Sequence, residues 1–395
     1  NTFDVVGNVD WTAANLGAYK CVNVAIEELN GSDYMCTLVG IDREKTVTRV
    51  AKAYIEYEDG TILFSNATEK QIFESGIKNP LIPTDSINKP ADPWVVYHEG
   101  YYYLCFGAVS SDGYGIYITK SDSLFNIDNP IERVQVYKGT EDSRVASSWY
   151  APELHNINGK WYVYAAPAIG GDTSGKHSMF VLEYEGDSPL ADGVNTKYTG
   201  LGFMKGLNEN AWLNIDGTYM KHNEKDYFIW SDQGSLKIAE LLGPTEIGPY
   251  HTISSPKYQW EMNISTLNEG PAVLYHNDDI FVSFSASDSQ CDYYAIGILE
   301  FAGGDPLDAS NWTKWEEPVL SQNREEGIYG PGHNSFTKVL VNGNWVDYIV
   351  YHAHDKSVTD GEVSTAWNAR TVLAQPFYWN TEGKPVFKPV SKSVY

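Results

Sequence analysis

Positive charge is scarce in this sequence, and its shortage argues against two classes of partner. The chain of 395 residues has 28 lysines and arginines against 52 aspartates and glutamates, which gives a formal net charge of −24. A surface this acidic repels phosphate backbones and anionic lipid headgroups. No concentrated run of basic residues offsets the surplus. We therefore expect no nucleic-acid partner and no membrane partner, while neutral polymers and cations remain open.

Cysteine is also rare, with four in the chain: Cys21, Cys36, Cys105 and Cys291. They form neither a CxxC pair nor the Cys/His spacing of a zinc site, so a zinc site is not expected. Cys105 lies in a predicted strand and is expected to be a small buried hydrophobe. Cys21 and Cys36 flank a predicted turn, and the sequence is equally compatible with a disulfide between them and with two free thiols.

Long apolar runs and amphipathic helical stretches are missing as well. No apolar run reaches the roughly 18 residues of a membrane span. Short apolar runs instead alternate with clusters of Gly, Asn, Asp and Pro, which is typical of an all-β protein. The chain begins at Asn1 without a methionine, which we interpret as a mature form that has lost its signal peptide. This interpretation predicts a secreted, cell-surface or periplasmic protein.

A short phrase, a polar turn followed by an aromatic or β-branched run, occurs five times in the sequence. The copies recur every ~55–65 residues, a period expected of one sheet per repeat and not of a helical solenoid. Five four-stranded sheets around an axis form a five-bladed β-propeller, in which the innermost strands converge on a central depression. The sequence therefore predicts an all-β, five-bladed propeller. The copies lie at residues 98–104, 158–164, 223–230, 277–284 and 342–350.

The first 76 residues carry no clear copy of this phrase. They do contain strand-like runs at residues 19–26, 34–41 and 47–65. We interpret residues 1–76 as a small N-terminal β region appended to the propeller and residues 77–395 as the propeller domain. The boundary is suggested by the proline-punctuated segment 79–83.

Three carboxylates stand in comparable settings. Asp92 precedes the first copy of the phrase, Asp216 the third and Glu269 the fourth, each in the segment before the aromatic strand. If the blades superpose, that segment lines the axis, so the three acids converge on one cavity. Aspartate and glutamate beside Gly and Pro are also ordinary turn residues. That alternative explains one such acid more easily than three at equivalent positions.

Six short motifs occur in order along the chain, and they are Ala91-Asp92-Pro93-Trp94-Val95, Ala151-Pro152-Glu153-Leu154-His155, Ile215-Asp216-Gly217, Asn268-Glu269-Gly270-Pro271, Gly303-Gly304-Asp305-Pro306-Leu307 and Tyr329-Gly330-Pro331-Gly332-His333-Asn334-Ser335-Phe336. In this combination the sequence resembles glycoside hydrolase family 43, especially its α-L-arabinofuranosidase members, over residues 79–389. The family fold is a five-bladed propeller, which agrees with the repeat count. The chain departs from the family at Tyr150, because the family more often has Trp directly before Ala-Pro-Glu. This departure bears on the sugar preference.

The resemblance implies roles that glycoside hydrolysis also requires. The reaction needs one ionised and one protonated carboxyl group, one on each side of the scissile bond. The resemblance implies an inverting enzyme, in which Asp92 matches the general base that activates water and Glu269 matches the general acid. Asp216 matches a third carboxylate that orients the acid and keeps it protonated, because a nearby negative charge disfavours ionisation.

Five further residues are candidates for substrate binding. Arg370 matches an arginine that reaches the terminal sugar or a neighbouring carboxylate, and His333 matches a histidine near the axis, often beside bound calcium. A structural calcium at His333 is therefore expected only through the resemblance, since calcium prefers several oxygen ligands; no organic cofactor is implied. Trp94 and Trp212 neighbour two of the acids and form either a wall for a furanose ring or part of the core. Glu153 is expected either to bond to backbone near the pocket or to contact the substrate.

Several functions remain open at this point. The leading hypothesis is an exo-acting α-L-arabinofuranosidase that releases terminal arabinose from arabinan, arabinoxylan or oligosaccharides of the plant cell wall. A β-xylosidase or an endo-arabinanase on the same scaffold would use the same three acids, and loop lengths do not distinguish a closed pocket from an open groove. A non-catalytic sugar-binding propeller is disfavoured, because a lectin has no need of Asp92 and Glu269 in these contexts. The N-terminal region fits a carbohydrate-binding module, a lid or a spacer.

Overall fold

The structure of the protein is a computed structural model that describes residues 2–4, 24–29, 33–38, 47–51, 54–56, 62–64, 68–72, 77–84, 86, 91–110, 113–145, 148–170, 175–341 and 344–394. The chain divides into two compact units, residues 1–78 and residues 79–394. Cys21 lies outside the described residues, so the alternatives for Cys21 and Cys36 stay open.

The first unit consists of short antiparallel strands. They are β1 (Thr2–Asp4), β2 (Val24–Leu29), β3 (Asp33–Leu38), β4 (Val47–Ala51), β5 (Tyr54–Glu56), β6 (Ile62–Phe64), β7 (Thr68–Ile72) and β8 (Ile77–Lys78). β4 pairs with β1 and β7 in a three-stranded sheet, β2 pairs with β3, and β5 pairs with β6. The role of residues 1–76 stays a prediction.

The second unit contains five antiparallel sheets. Blade one holds β9 (Trp94–His98), β10 (Tyr101–Ser110), β11 (Gly113–Ser121) and β12 (Glu132–Lys138), and blade two holds β13 (Tyr150–Ile157), β14 (Lys160–Ala166), β15 (Phe180–Tyr184) and β16 (Thr199–Phe203). Blade three holds β17 (Asn214–His222), β18 (Lys225–Asp232), β19 (Ser235–Gly243), β20 (Glu246–Ile247) and β21 (His251–Ser254). Blade four holds β22 (Asn268–His276), β23 (Asp279–Ala286), β24 (Ala295–Phe301) and β25 (Trp312–Lys314), and blade five holds β26 (Tyr329–Val341), β27 (Asn344–His354), β28 (Arg370–Trp379) and β29 (Pro385–Phe387). The chain ends with β30 (Ser393–Val394).

Helical turns in the second unit are short and of the 3-10 type. They are Leu124–Asn126, Gly139–Glu141, Gly193–Asn195, Gln259–Met262, Ala309–Asn311 and Ala366–Asn368. None of the helices among the described residues has the length and apolar character needed to cross a membrane.

The sheets form a closed ring. The first strand of each blade contacts the first strand of the next, in the order β9, β13, β17, β22 and β26, and β26 contacts β9. These five strands therefore surround the axis. The predicted all-β, five-bladed propeller is confirmed.

The repeated phrase forms the first turn of blades one to four and the second strand of every blade, namely β10, β14, β18, β23 and β27. In blade two the turn residues Asn158 and Gly159 have φ values of 52° and 85°. A two-residue turn between right-twisted strands requires positive φ, which asparagine and glycine adopt most readily. The turn residues and the alternating strand residues thus lie within a few residues of each other in the sequence. This is why each blade can be recognised from a short sequence pattern.

Aromatic side chains fill the spaces between the blades. Trp161 and Phe180 lie in the core shared by blades one and two, and Phe228 and Trp230 lie in the core shared by blades two and three. Cys105 is fully buried in the first of these cores with a free thiol, as the sequence predicts. Much of the aromatic surplus therefore packs one blade against the next.

Candidate active site

A β-bulge interrupts the pairing at the start of the first strand in blades two to five. In blade three, Ile215 pairs with Ser231 and Thr218 pairs with Ile229, so one extra residue lies on the first strand. The residue after the last regular pair has positive φ, a conformation that aspartate tolerates better than most residues. The corresponding residues of the five blades, with φ between 39° and 58°, are Asp92, Ala151, Asp216, Gly270 and His333.

Glu269 stands one residue before this position. It pairs with Ser285 ahead of the bulge, and Gly270 takes the positive φ that Asp216 takes in blade three. The three acids do lie at the starts of their first strands, but they are not at fully equivalent positions as the sequence suggested. The residue of blade two at the same place as Glu269 is Tyr150.

The starts of the first strands bring the three predicted acids and His333 together. His333 Nδ1 lies 3.4 Å from Asp92 Oδ1 and 4.0 Å from Asp216 Oδ2. The same Asp216 oxygen accepts a hydrogen bond of 3.1 Å from the Gly270 N–H. Asp216 is buried, whereas Asp92 and Glu269 are partly exposed. The cluster therefore offers two carboxyl groups to a ligand and keeps the third beneath them.

Asp92 is held by groups that favour its ionised form. Its N–H donates to Nδ1 of His352 at 3.2 Å, and its Oδ1 lies 3.2 Å from the same nitrogen. Burial works against ionisation, but His333, His352 and Arg370 outweigh it and hold the pKa of Asp92 below its usual range. Burial also lowers the pKa of both imidazoles, that of His352 to about 3. Arg370 is therefore the permanent positive charge beside Asp92.

Glu269 and Asp216 are placed to hold a proton. Burial raises the pKa of Glu269 to about 7; a hydrogen bond from Tyr294 opposes the rise and the charge of Asp92 adds to it. The Tyr294 hydroxyl donates to Glu269 Oε1 at 2.7 Å. Burial and the charges of Glu269 and Asp92 raise the pKa of Asp216 well above its usual range. Because each carboxyl disfavours ionisation of the other, the pair retains a proton near neutral pH while Asp92 does not.

Arg370 lies in the same cluster. It begins β28, is 3% exposed, and its charge acts on both Asp92 and Glu269. Nη2 donates to the Ser289 carbonyl at 3.3 Å. The guanidinium carbon lies 4.5 Å from the ring centre of Trp367, which is 58% exposed. A direct contact between Arg370 and a sugar stays a prediction.

Trp94 and Glu153 lie behind the cluster. Trp94 Nε1 donates to the Leu154 carbonyl at 2.8 Å, and its ring centre is 4.9 Å from that of His155. Glu153 is 1% exposed, and its Oε2 lies 2.9 Å from His155 Nε2. Burial raises the pKa of Glu153 and lowers that of His155 to about 3, so the two form a buried neutral pair. Glu153 thus bonds to the His155 side chain, whereas the sequence offered a bond to backbone or a substrate contact, and a contact with the substrate stays a prediction.

Trp212 and Tyr150 are exposed aromatics on the side of blades two and three. The Tyr150 ring stacks on buried His177 at 3.9 Å between ring centres, and the His177 N–H donates to the Trp212 carbonyl at 3.0 Å. Burial, together with the charge of Asp92, raises the pKa of Tyr150, so this ring lies within electrostatic range of the general-base candidate. The sequence marked Tyr150 only as a departure from a family pattern. Its position just ahead of a bulge is the signal that identifies it.

Two residues that touch the catalytic candidates carry no sequence motif. Tyr294 immediately precedes β24, and His352 lies in β27 opposite Gly332, where blade five has its bulge. Both side chains are fully buried. The signal for His352 is its register, because a residue of the second strand that faces a bulge lies near the axis. We find no comparable signal for Tyr294.

A buried ion pair supports the residue before Glu269. Lys314 Nζ donates to Glu261 Oε1 and, at 2.9 Å, to Asn268 Oδ1. Asn268 Nδ2 donates to Glu261 Oε1 at 2.8 Å, and Asn268 Oδ1 also accepts from Ser254 Oγ at 2.8 Å. Glu261 and Asn268 have no exposed surface. This network fixes the start of β22 and therefore the backbone from which the Glu269 side chain projects.

Few side chains near His333 could serve as ligands of the predicted calcium ion. Within the part of the chain that the structure describes, no group of three or more His, Cys, Asp or Glu side chains is arranged to hold a metal ion. His333 Nδ1 faces Asp92 and Asp216, while calcium prefers about six to eight oxygen ligands. These side chains do not fit a calcium held mainly by protein. Calcium binding stays a prediction, and no step of the reaction depends on it.

Known proteins of similar sequence bear on the family of this chain. The family described as "Glycosyl hydrolases family 43" matches residues 77–385. An extracellular exo-α-(1→5)-L-arabinofuranosidase of Streptomyces avermitilis is 35% identical over 319 residues, which are 78% of this chain and 63% of that protein. An enzyme of the same description from Streptomyces chartreusis is 33% identical over 288 residues, 70% of this chain and 82% of that protein. The chain thus spans less than two thirds of the length of the first relative.

Solved structures share the propeller. The crystal structure of an α-L-arabinofuranosidase from Lactobacillus brevis is 30% identical, has a TM-score of 0.69, and covers 80% of this chain and 98% of its own. A thermostable family-43 glycoside hydrolase, at 24% identity and a TM-score of 0.62, shares the fold.

Proposed function

This chain belongs to glycoside hydrolase family 43, and we propose that it is an inverting, exo-acting α-L-arabinofuranosidase. It releases terminal α-L-arabinofuranose from side chains of arabinan or arabinoxylan, or from oligosaccharides. The observation that carries the proposal is the difference in protonation within one cluster. Asp92 has a lowered pKa and Glu269 a raised one, so one cluster holds a carboxylate and a carboxyl group that keeps its proton to higher pH.

This pair of carboxyl groups supplies both halves of a single displacement. Asp92 takes a proton from a water molecule, and the oxygen of that water attacks the anomeric carbon on the face opposite the leaving group. Glu269 gives its proton to the glycosidic oxygen as the bond from that oxygen to the anomeric carbon breaks. Asp92 then loses and Glu269 regains a proton through solvent. One displacement inverts the anomeric configuration.

The surrounding charges keep the two groups in these states. Asp216 lies beneath them, and Asp216 and Glu269 each disfavour ionisation of the other. Arg370 favours the ionised form of Asp92 and, being 3% exposed, acts in a largely water-free setting. His333 Nδ1 lies 3.4 Å from Asp92 Oδ1, and His333 favours the ionised form of Asp92.

The sugar and the polymer are proposed from the relatives and the aromatic surface. Both Streptomyces relatives are described as exo-α-(1→5)-L-arabinofuranosidases. Exposed Tyr150 and Trp212 offer apolar faces for a neutral furanose ring. Because these relatives are described as extracellular, we place the action of this protein outside the cell. A calcium ion, if bound near His333 largely through water, would be structural.

Hydrolysis of paired aryl glycosides tests the proposal. Wild type and Glu269→Ala are compared on 4-nitrophenyl α-L-arabinofuranoside and 4-nitrophenyl β-D-xyloside, and the anomer released is followed by NMR. The expected result is release from the arabinofuranoside with inversion, at a rate lowered in the variant. Preference for the xyloside would instead identify a β-xylosidase, and activity on debranched arabinan alone would identify an endo-arabinanase. No hydrolysis of any of these substrates would favour a non-catalytic sugar-binding propeller.

A further inference from the structure

Two buried rings touch the two catalytic carboxyl groups from the same side. The Tyr294 hydroxyl donates to Glu269 Oε1 at 2.7 Å. His352 Nδ1 accepts the Asp92 N–H at 3.2 Å and lies 3.2 Å from Asp92 Oδ1. Neither ring has any exposed surface. Tyr294 therefore holds the Glu269 carboxyl group and His352 holds the Asp92 backbone N–H, both from within the protein.

The two rings also pack against each other. Tyr294 and His352 are nearly parallel, with an interplanar angle of 8° and 5.8 Å between their centres. The space for Tyr294 exists because Gly332, which is paired with His352, has no side chain. A Cβ atom at Gly332 would lie 2.0 Å from a Tyr294 ring carbon. In blade five, the position that carries the acid in blade four is thus left empty, and a tyrosine ring occupies the space.

An inverting mechanism depends on the separation of its two carboxyl groups, which is about 6.5–9.5 Å so that water fits beside the sugar. Two packed rings of fixed size, each bonded to one carboxyl-bearing residue, set such a separation more firmly than flexible side chains would. We propose, on the basis of the proposed function, that Tyr294 and His352 form a spacer that positions the acid relative to the base. We further propose that Tyr294 directs the acid's proton to Glu269 Oε2.

The proton assignment follows from hydrogen-bond capacity. A phenol has one hydrogen to donate, and Glu269 Oε1 receives it. Burial and the nearby carboxylates raise the pKa of Tyr294 well above its usual range, so the phenol stays neutral and keeps this hydrogen. Since Oε1 is already an acceptor, the proton of the Glu269 carboxyl is on Oε2. That oxygen is the one free to meet the glycosidic oxygen.

Removal of the phenol hydroxyl has a defined effect on the pH profile. The groups that act on Glu269 are Asp92, Asp288 and Asp216, which disfavour its ionisation, and Arg370 and Tyr294, which favour it. Tyr294→Phe removes one of the two groups that favour ionisation. The pKa of Glu269 then rises, and the basic limb, which is the fall of kcat/KM on the high-pH side of its pH profile, moves to higher pH.

The experiment measures pH profiles of wild type, Tyr294→Phe and Tyr351→Phe on an aryl arabinofuranoside and on an arabino-oligosaccharide. Tyr351 is the matched control: it is fully buried, neighbours His352, and its hydroxyl donates to Gln375 Oε1 at 2.8 Å, away from the acids. We expect Tyr294→Phe to move the basic limb upward and to lower kcat on the oligosaccharide roughly ten-fold, with a smaller loss on the aryl substrate. Tyr351→Phe leaves the limb in place. A basic limb that stays or moves down in Tyr294→Phe, or equal losses on both substrates, overturns the proposal.

Coupling between the two rings is tested with His352→Gln and the double variant. A spacer predicts that the double variant loses less activity than the product of the two single losses, whereas independent residues give the full product and overturn the spacer. If His352→Gln does not fold, the direction of the limb in Tyr294→Phe decides. If wild type hydrolyses no substrate, the proposed function fails separately. NMR titration of a ¹³C-labelled Glu269 carboxyl in wild type and Tyr294→Phe then still tests the proton assignment, and an unchanged pKa refutes it.

Discussion

Substitution of Lys314 by methionine removes the only side-chain cation that bonds to buried Glu261 among the described residues. Lys314 Nζ contacts Glu261 Oε1, Asn268 Oδ1 at 2.9 Å and the Ser255 carbonyl at 2.8 Å. The Lys314 and Glu261 side chains are 9% and 0% exposed. Methionine has a similar length and remains apolar, so Lys314→Met takes away a charge and its hydrogen bonds while filling most of the volume.

The expected loss follows from leaving a carboxylate buried. Breaking a buried ion pair at one partner costs about 3–5 kcal/mol of unfolding free energy. Glu261 keeps hydrogen bonds from Lys257 N–H at 2.7 Å, Tyr258 N–H at 2.6 Å and Asn268 Nδ2 at 2.8 Å. Because these donors still compensate part of the charge, we expect the lower end, about 3 kcal/mol at pH 7. Lys314 and the N–H groups outweigh burial and lower the pKa of Glu261. The stability they contribute is present above the usual glutamate pKa of about 4.3 and is lost as pH falls through the lowered value.

Urea unfolding of wild type, Lys314→Met and Lys314→Met/Glu261→Gln at pH 7 and pH 4.5 measures this loss. Lys225→Met is the control, since Lys225 pairs with Glu240 at 2.9 Å on the surface, and its midpoint should stay near that of wild type. The double variant should regain part of the stability, because no unpaired charge remains. Equal midpoints for Lys314→Met and wild type at pH 7 would refute the reasoning. A double variant less stable than the single one would refute it as well.

The catalytic assignments give three further expectations. Asp92→Asn should abolish turnover on aryl and natural arabinosides alike. Glu269→Gln should lower the rate about 10²–10⁴-fold on oligosaccharides and far less on an aryl substrate with a good leaving group. Steady-state kinetics on both substrates measure these losses, and full activity of Asp92→Asn contradicts the mechanism. The rate should fall as pH rises through about 7, because Glu269 then loses its proton, and a pH profile of kcat/KM that stays flat to pH 9 would contradict the assignment. Removal of divalent cations with EDTA should leave the aryl-substrate rate unchanged if calcium takes no part in the chemistry, and a rate that is lost with EDTA and restored by calcium would overturn that expectation, with thermal unfolding run alongside to separate a structural effect.

The propeller could be predicted from the sequence because its signals are local. Each blade is recognisable in the sequence by a polar turn, such as Asn158-Gly159, and by the alternating strand that follows it. The acids Asp92, Asp216 and Glu269 stand near these signals, so their convergence could also be inferred. The motif resemblance then supplied their roles.

What the sequence did not reveal depends on contacts between distant segments. The register of Glu269 is set by a bulge, and one extra residue in a strand is not visible from alternation alone. Tyr294 contacts the acid Glu269 and Lys314 contacts its neighbour Asn268 from elsewhere in blade four, and His352 contacts Asp92 from blade five. Such residues follow from three-dimensional packing between strands, which a single sequence does not encode in any short pattern.

The bulge repeated in the blades separates the backbone of this ring from its chemistry. The same left-handed residue recurs in every blade, and it carries an aspartate in two of them, an imidazole in one, a hydrogen atom in one and a methyl group in the last. Ala151 adopts a φ of 39°, but its methyl side chain has no functional group. Ala151 therefore shows that the sheet holds this backbone conformation whatever side chain the position carries. Because Ala151 is 2% exposed, a larger side chain introduced there would reach this position of the ring only if its neighbours move.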